Sequence, residues 1–171
     1  GVITSVSIGS GAATDLAVGP DGNVWATVGP VADHGNRVVR VTPAGVVTTF
    51  PLAAAKPSGI ALGAGGQLWI TATGPDPVAE LALDGTTTGF GAELPLAPQA
   101  VAAGTDGAAW YLDLFGHLGR VAPSGAATRF AGPSDPVAVG VAPAGAGAAW
   151  FTDKANDQIG RITPAGVVER F

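Results

Sequence analysis

The chain has no cysteine among its 171 residues. That excludes disulfides, a thiolate nucleophile and any cysteine-based zinc site. It leaves the compartment open, because a large enough core is secreted without disulfides. Charge is also scarce: 12% of residues are charged, and eight Lys and Arg face thirteen Asp and Glu, for a net charge of −5. This balance argues against nucleic acid or an anionic membrane as a partner. No run approaches the ~18 uninterrupted apolar residues of a membrane helix. No basic stretch precedes an apolar core, as a secretory signal would require. The chain opens on Gly1 rather than Met, which reads as a processed or trimmed product. No stretch of ten or more residues has helical period, so no helix is expected.

What the chain does have is glycine and proline, 27 and 14 of them, set between short apolar runs. They fall at fixed phases. The phrase Val18-Gly-Pro-Asp-Gly-Asn-Val-Trp25 returns as Leu62-Gly-Ala-Gly-Gly-Gln-Leu-Trp69 and as Ala103-Gly-Thr-Asp-Gly-Ala-Ala-Trp110. A stretched copy runs from Val141 through Pro143 and Gly145 to Trp150. All four tryptophans close such a phrase, and Phe50, Phe90, Phe130 and Phe171 mark the same period near 40 residues. A period of this length announces a repeat architecture.

Each unit reads as four short strands. A small-residue strand (Ala13–Val18, Pro57–Leu62, Pro98–Ala103, Pro136–Val141) runs into a Pro-Asp-Gly type turn, where Pro presets φ and Gly accepts a positive one. The Trp-bearing strand, a variable loop and a third strand follow. A second tight turn then leads to a fourth strand ending on the recurring Phe. Four-stranded meanders at this spacing are propeller blades. The expected fold is all-β: one propeller segment over 1–171, with blades at about 13–50, 57–90, 98–130 and 136–171. Residues 1–12 form an extra segment, because Gly1–Ile8 matches the fourth-strand phase of Gly45–Phe50. Either that segment seals the ring in place of Val167–Phe171, or it is an added edge strand.

The units "GIALGAGGQLWIT" and "WFTDKANDQIGRITPAGVVERF" resemble repeats of the virginiamycin B lyase (streptogramin lyase) family and, more loosely, NHL repeats. The resemblance spans essentially the whole chain. It implies a seven-bladed ring and a lyase in which His and Glu residues on one face work with a magnesium ion. Four blades are fewer than that ring holds, so two blade faces would be left open. Even ~400 Å² of apolar face per joint, at about 25 cal/mol per Å², contributes roughly 10 kcal/mol before association costs. Two copies placed head to tail would cover both faces in an eight-bladed ring. The expected partner is therefore a second copy of the chain, in a homodimer. A closed four-bladed monomer and a fragment of a longer ring are the alternatives.

Binding residues in a propeller gather where the strand-two-to-three loops and the unit junctions open. That face would collect Asp33, His34, Asn36, Asp76, Asp113, Phe115, His117, Lys154, Asn156 and Asp157, with Lys56, Ser58, Gln99, Ser134 and Asp135 nearer the axis. Asp113 and Asp153 share one phase and are candidate magnesium or calcium ligands; equally, each carboxylate could cap its own loop. With His117 and His34 as candidate bases they make the weak catalytic set. Each histidine also reads as an ordinary loop or strand-start residue. The position where the resembling family often has "WFTE" reads Val28, Ala72, Asp113 and Asp153 after the respective Trp strands, with no Glu among them. Arg40, Arg120 and Arg161 share another phase and read as structural, stacked on aromatic faces or paired between blades.

There is no Ser-His-Asp order and no His-x-x-x-His pair. The Gly-rich phrases lead from strand to strand, whereas a phosphate cradle needs a helix N-terminus. The expectation is a non-catalytic scaffold or binding module without cofactor and with a ligand left open, whether a natural half-propeller or an engineered or excised fragment. A magnesium-dependent lyase of the streptogramin type is the alternative.

Overall fold

A computed structural model of the chain describes residues 5–29, 35–52, 56–91, 97–130, 140–154 and 156–171. Four sheets of four strands each account for the described strands. The first blade comprises β1 (Ala12–Val18), β2 (Val24–Gly29), β3 (Arg37–Val41) and β4 (Val47–Pro51). The second comprises β5 (Lys56–Leu62), β6 (Leu68–Thr73), β7 (Val78–Leu81) and β8 (Thr87–Phe90). The third has β9 (Pro98–Ala103), β10 (Ala109–Asp113), β11 (Leu118–Val121) and β12 (Ala127–Arg129). The fourth has β13 (Val141–Pro143), β14 (Ala149–Asp153), β15 (Gln158–Ile162) and β16 (Val168–Arg170). Every sheet is an antiparallel meander in chain order, the propeller blade that the repeat predicts.

Helix is confined, among the described residues, to one 3-10 turn at Gly145–Gly147. It sits in the stretched copy of the turn phrase and holds Ala146 at φ 58°, so it is a distorted hairpin turn rather than a helix. No described helix is long and apolar enough to cross a membrane. At the N-terminus, residues 5–11 form no strand, while β16 keeps its place on β15.

Within a blade, the second and third strands face each other in fixed register, and bulk is traded across one pair. The partners are Ala26 and Val39, Ile70 and Ala79, Tyr111 and Gly119, and Phe151 and Gly160. As one side chain grows, its partner shrinks. A Cβ on Gly119 would stand 2.0 Å from Tyr111 Cζ, and one on Gly160 would stand 2.2 Å from Phe151 Cζ. These glycines are there because a ring lies over them, which is how a close-packed core absorbs a large side chain.

The blades join through the recurring aromatics. Trp25, Trp69 and Trp110 are fully buried, and each pairs with the Phe that closes its own blade at 5.2 to 5.6 Å between centroids. The tryptophan face of one blade packs on the first three strands of the next. Trp25 and Val38 meet Ile60, Leu68 and Leu81; Trp69 and Val78 meet Val101, Tyr111 and Val121; Trp110 and Leu118 meet Phe151 and Ile162. The Phe then lies over a glycine in the following blade's last turn: Phe50 on Gly85, Phe90 on Gly125, Phe130 on Gly166. Those glycines have φ of +95°, +85° and +85°, so the turn needs Gly for its backbone and the joint needs it for space.

Candidate functional site

The inner strands are tied to one another by hydroxyls. Thr14 Oγ1 lies 2.8 Å from Thr27 Oγ1 in its own blade and donates to Pro57 O of the next. Ser58 repeats the arrangement one blade on: its Oγ lies 3.1 Å from Thr71 Oγ1 and donates to Pro98 O at 2.6 Å. Asp15 Oδ2 accepts the Ile60 N–H across the same joint at 2.9 Å. These bonds hold the starts of β5 and β9 in place beside the ends of β6 and β10.

A cavity of ≈ 550 Å³ opens there, lined by Thr14, Lys56, Ser58, Thr73, Gln99 and Leu114, with Pro57 in its wall. Lys56, Ser58 and Gln99, placed near the axis by the sequence, are thus brought together. One ammonium, one amide and several hydroxyls over an apolar wall suit a carbonyl-rich or anionic small molecule. No described carboxylate pairs with Lys56.

Asp113 and His117 also come together, but around a loop rather than at the cavity. Asp113 is fully buried at the end of β10. Its Oδ1 accepts the Phe115 N–H at 2.7 Å and the His117 N–H at 2.9 Å. Its Oδ2 lies 2.9 Å from His117 Nδ1 and 3.9 Å from Arg129 Nε. Arg129 Nη2 is 2.7 Å from the same Nδ1, which cannot donate to Asp113 and accept from Arg129 at once.

Asp153 forms a separate cluster with Asn156, whose Nδ2 reaches both carboxylate oxygens at 3.0 and 3.1 Å, and with Arg170 Nε at 3.8 Å. Magnesium takes hard oxygen ligands in open octahedral positions. Here the carboxylates face N–H donors and a guanidinium, and among the described residues no three His, Asp or Glu side chains gather around a common point. The described residues do not fit the ion.

The other candidates are scattered. Asp76 packs on Gly89 and lines a smaller cavity of ≈ 230 Å³ with Leu52 and Ile70. Phe115 and Lys154 are exposed, and Asp157 takes a φ of 51° in its turn. Asn36 leaves a buried Oδ1 without a partner. Asp33, His34, Ser134 and Asp135 lie outside the described residues. Of the recurring arginines, Arg40 lies over Trp25 at 5.6 Å and Arg120 over Trp110 at 5.9 Å, while Arg161 pairs with Glu169.

Sequence reasoning missed Arg129 and Arg170. A signal was available: each precedes its blade's closing Phe, and each is present only where an Asp stands three residues after the Trp. Units one and two lack both partners, with Val28 and Thr49 in one and Ala72 and Gly89 in the other.

Comparison with known proteins bears on the whole arrangement. A model of the Virginiamycin B lyase family matches residues 2–171. A virginiamycin B lyase from Nocardia farcinica is 34% identical over 137 residues, covering 79% of this chain and 47% of that protein. The selenomethionine-substituted virginiamycin B lyase from Staphylococcus aureus superposes with a TM-score of 0.76 at 28% identity, covering 91% of this chain and 54% of that one. A catalytically inactive variant of the Staphylococcus aureus enzyme, solved with quinupristin, gives 0.75 at 28% identity, with the same coverage. The chain spans about half the length of these relatives.

Proposed function

The chain belongs to the virginiamycin B lyase family, and from that premise we propose that its four blades are a binding module forming one half of a closed ring, with a second copy supplying the other half. One observation carries the proposal. The two end faces bear the same residue types as the three buried joints, left partly uncovered. Trp150 is 37% exposed and Phe171 69%, where Trp25, Trp69 and Trp110 are fully buried; Leu16, at the phase of buried Ile60, is 64% exposed. Apolar faces of this kind mark an assembly surface, and a head-to-tail pair closed by a two-fold would use both at once. The cavity beside Lys56 and Gln99 would then occur twice around one axis.

Light scattering coupled to size exclusion tests the assembly. A mass of twice 16.6 kDa is expected, and a stable 16.6 kDa species would sink it.

The second reading, a magnesium-dependent lyase, is favoured by the family and by the contact of His117 with the buried Asp113 carboxylate. Against it stands the use of Asp113 and Asp153 as loop caps and arginine partners. Quinupristin is the discriminating probe. Binding without conversion is expected, and magnesium-dependent conversion to a new product would replace the binding module by the lyase.

A further inference from the structure

Residues 5–10 lie on the free face of the first blade, and their contacts copy those that a preceding blade would make. In the sequence match of Gly1–Ile8 to Gly45–Leu52, Val6 corresponds to Phe50 and Ile8 to Leu52. Phe50 lies over Gly85, the turn glycine of the next blade. Val6 lies over Gly45, the equivalent glycine of the first blade, with Cγ2 3.6 Å from where a Cβ would stand. Leu52 packs on the cluster that holds Ile70 and Ala79. Ile8 packs on the equivalent pair, Ala26 and Val39, together with Val28. Two residues at matched phases therefore occupy two matched sites.

The fit is incomplete in a telling way. Val6 replaces a phenylalanine and remains 41% exposed, while Leu16 and Val24, further along the same face, are uncovered. The segment forms no ladder, and its polar hold is Arg37, whose Nη2 donates to Ile8 O at 3.3 Å and to Ser10 O. At the other end of the chain, Phe171 already packs at a tilt against Trp150, 5.5 Å between centroids, and β16 is paired to β15. A second copy would thus arrive with a finished Trp–Phe unit matching those that enter the three existing joints. Its Phe171 and the resident Val6 require the same place on Gly45.

We infer that residues 5–10 are a placeholder on the ring-closing joint, held by Val6, Ile8 and Arg37, which the Phe171 end of a second copy must displace. The inference rests on the ring reading above and adds to it a contact that opposes closure. It takes the incoming outer strand to be the partner's Val167–Phe171 rather than the N-terminal segment. Closure then trades Val6 for a larger ring over Gly45 and covers Leu16, Val24 and Trp150 together.

The test is sedimentation equilibrium of the full chain beside a Val6→Ser/Ile8→Ser variant, with acrylamide quenching of Trp150 as a local readout. Weakening the placeholder should tighten the dimer about tenfold and shield Trp150 at lower protein concentration. Arg37→Gln, which loosens the segment while leaving the apolar face intact, must move the dissociation constant in the same direction. That keeps the test valid if the double variant folds poorly. An unchanged or weaker dimer overturns the placeholder but leaves the ring standing. Chains that stay monomeric at every concentration, in all three proteins, overturn the ring reading and the placeholder with it.

Discussion

Replacing Asp113 by Ala separates a loop cap from a metal ligand. The carboxylate is fully buried and accepts two backbone N–H groups, from Phe115 and His117, and its Oδ2 lies 2.9 Å from His117 Nδ1. Hydrogen bonds to a charged acceptor contribute about 1.5–3 kcal/mol each, and the low end applies because the loop lets water reach the freed donors. The two backbone bonds alone then account for roughly 3 kcal/mol. For a domain of this size each kcal/mol moves the midpoint by about 2–4 °C, so Asp113→Ala should melt roughly 6–12 °C below the parent. Asp113→Asn keeps an acceptor and loses the charge, so about half that shift is expected. The assay is thermal unfolding followed by circular dichroism, in buffer with chelator and again with millimolar magnesium. A capping role predicts the same large deficit in both. A variant as stable as the parent in chelator, with a deficit only when magnesium is added, would refute the capping argument and restore Asp113 as a ligand.

Gly119→Ala should cost about 1–3 kcal/mol by forcing a Cβ into the Tyr111 ring, and pairing it with Tyr111→Leu should recover part of the loss in urea melts. Trp69→Ala should cost about 3–5 kcal/mol, whereas Trp150→Ala in the single chain should cost far less, because its face is uncovered. Tyr111, the sole tyrosine, has its pKa pushed up to about 12 by burial and then by the Asp113 charge. Absorbance near 295 nm should titrate close to that value, and lower in Asp113→Asn; a native midpoint at the ordinary value of 10 would contradict the packing. A raised acid pKa means the unfolded chain releases its proton first, so stability should fall as pH rises from about 10 through 12. Partial burial opposes ionisation of Asp106, but bonds from Arg120 and the Ala108 N–H outweigh it and lower its pKa. Its stabilisation is present above the ordinary carboxylate range and lost as pH falls through the depressed value, so Asp106→Asn should show its deficit at pH 7 and lose it in acid.

Blade number, strand order and the aromatic joints were legible because they repeat. A feature that occurs four times at one phase is averaged over its own noise, and the Trp and Phe periods carry the blade register without any contact being known. The cross-strand trade of Tyr111 against Gly119 was present in the sequence but hidden. It relates residues eight apart whose pairing exists only once the register is set. The site was legible in part. Lys56, Ser58 and Gln99 fall in one cavity because junction residues must open at one end of the strands. Thr73 and Leu114 complete that cavity from neighbouring blades, and their approach depends on blade twist. Asp113 was left open between ligand and cap, since only the positions of Phe115 N–H and Arg129 could distinguish the two.

Two polar schemes recur among the described residues. In the first two blades the inner strands are tied by hydroxyls, Thr14 with Thr27 and Ser58 with Thr71. In the last two, buried carboxylates at the end of the Trp strand face arginines before the closing Phe, Asp113 with Arg129 and Asp153 with Arg170. Repeats with one backbone thus carry two polar schemes, and the ligand-sized cavity lies where the hydroxyl-tied blades meet the first carboxylate-bearing one. A ring built from two copies would alternate the schemes and place two such boundaries on opposite sides of the axis. In such a ring, chemistry at the cavity would draw on groups other than Asp113 and Asp153, whose carboxylates are committed to their own loops and arginines.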